Sequence, residues 1–126
     1  MKLLLDSHIL IWWPVGSPRL GARAKALIAD PDNQLFMSAA NWWELGIKRA
    51  LGRLQIDLPE ATKAIERRGV VGLSVTMRDA EFASTLERLH GDPFDHMLVA
   101  QAQAGGMKLL TRDTRLKEYG ASVLCV

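Results

Sequence analysis

Four acids in this sequence, Asp6, Glu44, Asp95 and Asp113, follow or flank apolar segments in a way that suggests shared chemistry. Carboxylates gathered at one place repel and raise one another's pKa unless a cation neutralises them. All-oxygen ligation suits Mg²⁺ or Mn²⁺, ions that keep waters and bind substrate phosphates. The chemistry implied is phosphodiester hydrolysis by a metal-activated water, with the four acids as metal ligands and one of them, Asp95 or Asp113, able to orient the water. Each acid also has an ordinary explanation. Glu44 can pair with Lys48 at i+4 for roughly 0.2–0.5 kcal/mol. Asp95 can oppose a helix dipole for roughly 0.3–1 kcal/mol. Asp113 can cap a short helix before Tyr119, and Asp6 can cap the helix holding Ile9 to Trp13. These account for the acids singly, not for their arrival on one rim.

The elements that must position them alternate strand and helix. Lys2 to Leu5 reads as a buried strand entering a helix. Ser17-Pro18 offers a cap and first-turn proline for a helix running toward Ala29, and Asp30 to Asn33 makes a turn. Leu35 to Met37 is a second strand. Ser38 caps a helix carrying Trp42, Trp43, Ile47 and Leu51, which Gly52 ends, and another helix follows Pro59. Val70 to Val75 is a third strand, with Thr76 and Asp79 as a capping box for a helix that fades near His90-Gly91. Asp92-Pro93 starts a helix that stops at Gly105-Gly106, before the strand Met107 to Leu110; a short helix and the strand Ser122 to Val126 close the sequence.

The strands are continuous apolar runs without period-two alternation, as expected where both faces of a parallel sheet are covered, so the class is α/β. In such a sheet the ligand crevice lies beyond the carboxyl ends of the strands. Asp6 and Asp113 directly follow strands, whereas Glu44 and Asp95 lie in the early turns of crossover helices that begin at the same edge. Glu44 aligns with Ile47 and Leu51, and Asp95 with Leu98, Val99 and Ala102, so both point inward.

With 126 residues and 48% hydrophobic composition, residues 1–126 are expected to form a single domain. Cys125 is the only cysteine, which rules out an internal disulfide and suits a reducing, cytoplasmic setting. His8, His90 and His96 lack zinc-ligand spacing. Asp6 interrupts the apolar amino terminus and argues against a signal peptide, and no run reaches the length of a membrane span. Sixteen basic and fourteen acidic residues leave a formal charge of +2, too little to specify a partner.

The segments LLLDSHILIWW, SAANWWE, DPFDHMLVAQAQ and LLTRD, in this order and across essentially the whole sequence, resemble a PIN domain, especially the VapC-like toxins of bacterial toxin–antitoxin pairs. The resemblance implies a three-layer α/β/α fold with a five-stranded parallel sheet, an endoribonuclease requiring Mg²⁺ or Mn²⁺, a small antitoxin partner and a homodimer. It places the family's metal-binding acids on Asp6, Glu44, Asp95 and Asp113, with Ser7 and Thr111 as supporting hydroxyls. Ser7 stands where many relatives have threonine, His96 where arginine is frequent, and Asn41 where a small hydroxyl residue is common.

Lys48, Arg49 and Arg112 neighbour the acids and are candidates for RNA phosphate contact, against the alternative of a solvated surface. Trp12, Trp13, Trp42 and Trp43 form two adjacent pairs whose members diverge by about 100°, so at most one of each pair should be fully buried. The outward members are candidates for dimer or antitoxin contact, or for stacking on bases. Two competing readings are a PIN fold kept for binding with catalysis lost, and a receiver-type signalling domain. The latter needs an acceptor aspartate after the third strand, where Leu73-Ser74-Val75-Thr76 offers none.

Overall fold

The computed structural model describes residues 1–89 and 91–126. Five strands, β1 (Lys2–Leu5), β2 (Gln34–Ser38), β3 (Val71–Leu73), β4 (Lys108–Thr111) and β5 (Val123–Cys125), form one parallel sheet in the order β3-β2-β1-β4-β5. β1 and β4 are neighbours, with Leu3 opposite Lys108 and Leu5 opposite Leu110. The chain fills the sheet from β1 toward one edge, then crosses to β4 and fills the other side. The change of direction falls between β1 and β4, which is where such sheets leave a crevice.

Leu3, Leu4 and Leu5 are all fully buried because both faces of β1 are covered. Successive side chains alternate between those faces. Leu3 and Leu5 join Ile9, Leu10, Ala24, Ile28, Ile65 and Leu110 in one core. These come in part from the helices α1 (Ser7–Trp12), α2 (Ala22–Ala29) and α4 (Leu58–Glu66). Leu4 joins Leu98, Val99, Ala102, Leu109 and Leu116 in the other, with α6 (Pro93–Gly105) as its main helix. The result is the expected helix–sheet–helix sandwich.

Helix starts follow the sequence signals closely where a side chain makes the cap. Ser38 Oγ accepts from Ala40 N at 3.0 Å and Asn41 Oδ1 accepts from Ser38 N at 2.7 Å, starting α3 (Ala39–Ala50). Thr76 and Asp79 form the expected reciprocal box at α5 (Met77–Thr85). Asp92 caps α6 by accepting from Phe94 N and Asp95 N, and Gly106 ends it in the left-handed conformation at φ 64°.

Several boundaries differ from expectation. Ser17-Pro18 opens a turn, with Leu20 N donating to Ser17 O, and α2 begins only after Gly21. α4 is capped by Asp57 and starts at Leu58, so Pro59 sits inside its first turn. β3 is three residues long because the chain leaves the ladder after Leu73, where β2 ends at its partner Ser38. α5 stops at Thr85, and the expected fading at His90 falls on a residue outside those described. The last helix is a 3₁₀ helix, Thr114–Tyr119.

Candidate active site

Asp6 immediately follows β1, and its backbone N–H continues the ladder by donating to Leu110 O at 3.0 Å. Its carboxylate makes no cap on α1, so the capping explanation fails for this residue. Instead Thr111, the last residue of β4, donates its Oγ1 hydrogen to Asp6 Oδ2 at 2.5 Å. The same Thr111 Oγ1 accepts from Asp113 N at 3.0 Å, so one hydroxyl links the acids that follow the two central strands.

A second polar chain sets Glu44. Asn41, locked by its bond to Ser38 N, donates from Nδ2 to Ser7 Oγ at 2.9 Å, and Ser7 donates to Glu44 Oε1 at 2.7 Å. Ser7, Asn41 and Thr111 are all essentially inaccessible to solvent. A buried polar group without a partner costs about 1–3 kcal/mol, so a satisfied chain of this kind fixes rotamers firmly. Ser38 Oγ extends it to Gln101 Oε1 at 2.5 Å, and Gln101 Nε2 donates to Ser74 O and Asp79 Oδ2, tying α3, α5, α6 and the end of β3 together.

Asp95 sits in the first turn of α6. Next to it, His96 is held by Ala83 O at 2.7 Å from Nε2 and by the Tyr119 hydroxyl at 3.0 Å from Nδ1. Nε2 faces a carbonyl and must carry the proton, so Nδ1 accepts from Tyr119. This bridge fastens the start of α6 to α5 and to the 3₁₀ helix that Asp113 caps. Burial and the surrounding carboxylates of Asp6, Asp92, Glu44 and Asp113 push the Asp95 carboxyl up to about 8. Burial likewise raises Asp6, against the lowering effect of the Thr111 bond and His8.

The four sequence-derived acids therefore share one electrostatic site, at the carboxyl edge between β1 and β4. Asp6, Glu44 and Asp95 are buried, and Asp113 lies at the rim with a side chain 24% exposed. Among the described residues, no group of three or more Asp, Glu, His or Cys side chains is placed to hold a metal ion. The oxygens are turned toward donors of the chain itself. Glu44 Oε2 accepts from Lys48 Nζ at 2.9 Å, the i+4 pair anticipated as its ordinary role. Asp113 caps the 3₁₀ helix through Arg115 N and is also gripped by the Arg115 guanidinium. Even so, the chemistry of the donor set fits a divalent cation: it is all hard oxygen, supplied by the carboxylates of Asp6, Glu44, Asp95 and Asp113.

The other predicted contacts are engaged with the protein. Arg49 Nε donates to Ile56 O at 2.9 Å, and the Arg112 guanidinium donates to Arg19 O. Trp12 stacks on His8, and the Arg68 guanidinium lies 5.0 Å from the Trp13 ring centroid. Trp12, Trp13 and Trp42 are half-buried, so no tryptophan is fully buried, while Trp43 is 68% exposed. Trp43 meets Phe94 edge to face at 5.3 Å, and both line an apolar cavity of about 460 Å³ with Ala39, Ala40, Val75, Pro93 and Met97. Sequence reasoning missed Arg115 and gave Asp92 only its capping role. The signal for Asp92 was its i, i+3 spacing from Asp95, which sets two acids on one helix end.

Comparison with known proteins places this architecture. The family model of the PIN domain matches residues 3–122. Ribonuclease VapC22 of Mycobacterium tuberculosis is 30% identical over 120 residues, covering 93% of this chain and 91% of that protein. The fold is shared with the solved structure of VapBC2 from Rickettsia felis bound to a DNA fragment from their promoter. There the TM-score is 0.70 at 13% identity, over 100% of this chain and 98% of that one. It is also shared with a toxin–antitoxin complex from Klebsiella pneumoniae, at TM-score 0.63 and 24% identity, over 97% and 95% of the two chains.

Proposed function

Since the chain belongs to the PIN domain family, we propose that it is a metal-dependent endoribonuclease acting as the toxin of a toxin–antitoxin pair. The observation that carries the reading is the carboxylate convergence: burial first, and then the charges of Asp6, Asp92, Glu44 and Asp113, push the Asp95 carboxyl up to about 8. Asp6, Glu44, Asp95 and Asp113 are the residues that would hold Mg²⁺ or Mn²⁺, with Ser7 and Thr111 fixing the first two acids in place. The ion, when bound, supplies a nucleophilic water and charge stabilisation at the phosphate.

The chain's own residues do the rest. Thr111 and Ser7 orient Asp6 and Glu44 so that little side-chain freedom is lost on loading. Asp95 or Asp113, as a carboxylate, would orient a water at the site or accept its proton. Lys48, Arg49 and Arg112 are the proposed RNA phosphate contacts.

A small antitoxin is the proposed partner, as in the toxin–antitoxin complexes that share the fold. The chain is further proposed to be a single PIN domain, to dimerise and to work in the cytoplasm. No helix among the described residues is long and apolar enough to cross a membrane. The exposed Trp43 and its apolar cavity are the surface we assign to protein contact.

The test is incubation of partner-free protein with structured and single-stranded RNA pools in Mg²⁺, Mn²⁺ or EDTA, alongside Asp6→Asn. Cleavage confined to metal plus wild type is expected. Equal cleavage by Asp6→Asn would place the site elsewhere, and intact RNA in every condition would favour a binding role.

A further inference from the structure

Arg115 grips Asp113 more completely than a helix cap requires. Its backbone N–H donates to Asp113 Oδ1 at 3.0 Å, its Nε reaches Oδ1 and Oδ2 at 3.1 and 3.2 Å, and its Nη2 lies 2.7 Å from Oδ2. Both carboxylate oxygens of a rim acid are thus covered by a guanidinium of the same chain. The Arg115 side chain is 69% exposed, and among the described residues its guanidinium hydrogen-bonds to Asp113 alone. Lys48 differs, being only 34% exposed and one helical turn from its partner.

A surface ion pair is weak in water. A doubly charged ion that drew on several carboxylates would outcompete one guanidinium held by one. The released arginine would stay at the site's rim, and its planar fork matches a phosphate as well as a carboxylate. While the guanidinium is closed on both oxygens of Asp113, its fork has no free pair of donors for a phosphate. Once a cation has taken Asp113, that fork would be open to an anion.

We propose that Arg115 is an exchangeable counter-ion that covers Asp113 in the metal-free protein, yields it to a divalent cation, and then binds a phosphate of the substrate strand. The inference rests on the nuclease reading of the site and orders its binding steps: metal first, nucleic acid second. The guanidinium is a placeholder for the ion and afterwards a specificity element for the anion.

The experiment is calorimetric titration of Mn²⁺ into the purified wild type, Arg115→Gln and Arg115→Lys at low ionic strength, with thermal melts to verify folding. Arg115→Gln should bind Mn²⁺ roughly two- to five-fold more tightly than wild type, the worth of a surface pair, with Arg115→Lys between them. A second arm follows the anisotropy of a labelled single-stranded DNA oligonucleotide, which carries the phosphates without the 2′-hydroxyls. With Mn²⁺ present, Arg115→Gln should bind it more weakly, with a slope of log affinity against log salt shallower by about 0.7. In EDTA the two proteins should be alike. Equal or weaker Mn²⁺ affinity in Arg115→Gln, no Mn²⁺ binding by any of the proteins, or an unchanged salt slope would overturn the exchange. Tighter Mn²⁺ binding by Arg115→Gln beside a wild type that cleaves no RNA would support the exchange and refute the nuclease reading alone.

Discussion

Replacing Asp95 by asparagine should stabilise the metal-free protein at neutral pH, although it removes an acid from the heart of the proposed site. The folded carboxyl is raised from 3.8 to about 8, so folding favours its protonated form. The stability it contributes is fully present below the unfolded value and lost as pH rises through the folded one. At 1.36 kcal/mol for each pH unit above 3.8, the deficit at pH 7 is at most roughly 4 kcal/mol. An effective dielectric nearer 20 than 4, together with side-chain relaxation, brings the expected gain for Asp95→Asn to about 2 kcal/mol. The same reasoning at pH 5 leaves under about 1 kcal/mol. Urea unfolding of both proteins in EDTA, at pH 7 and pH 5, reads the difference directly. In saturating Mn²⁺ the order should reverse, because the wild type alone keeps its full ligand set. A metal-free Asp95→Asn that is less stable than wild type at pH 7, or a difference that does not shrink toward pH 5, would refute the electrostatic account of the site.

Thr111→Val removes the hydroxyl that orients Asp6 and should lower metal affinity or cleavage by roughly 10- to 100-fold while leaving the fold intact, checked by titration and circular dichroism. Ser7→Ala orphans Asn41 Nδ2 and frees Glu44 Oε1; unfolding midpoints should report a loss of about 1–3 kcal/mol. Tyr119→Phe strips the donor from His96 Nδ1 and should cost about 1 kcal/mol, measured by urea denaturation. Leu4→Ala opens a cavity at the centre of the sheet and should cost about 2–5 kcal/mol by the same measurement.

The parallel sheet was legible because β1, β2 and β4 are short and each carries an unbroken apolar run, as expected where both faces are covered. The acids were legible because strand ends and helix starts share an edge in that architecture. Caps made by a single side chain, at Ser38, Thr76 and Asp92, could also be read locally. What sequence missed was set by partners far along the chain. Ser17-Pro18 carries a good helix-start signal, yet the chain turns there and α2 waits for Gly21. β3 is trimmed by the length of its neighbour, and nothing within Val70 to Val75 announces that. Arg115 was passed over because one arginine two residues from an acid is unremarkable until both oxygens are seen within its reach.

The pairing of β1 with β4 also sets when the site can exist. Thr111 meets Asp6 across 105 residues of chain, and a polypeptide leaving the ribosome exposes Asp6 first and Asp113 late. At roughly 5–20 residues per second, about 5–20 s separate the two during synthesis. Until β4 has emerged and slotted beside β1, the growing chain holds only part of its acids, and a transcript that stops short of this strand yields a fragment lacking one wall of the crevice. Docking of β4 beside β1 is therefore the step that closes the crevice, and every acid made before it waits for that strand.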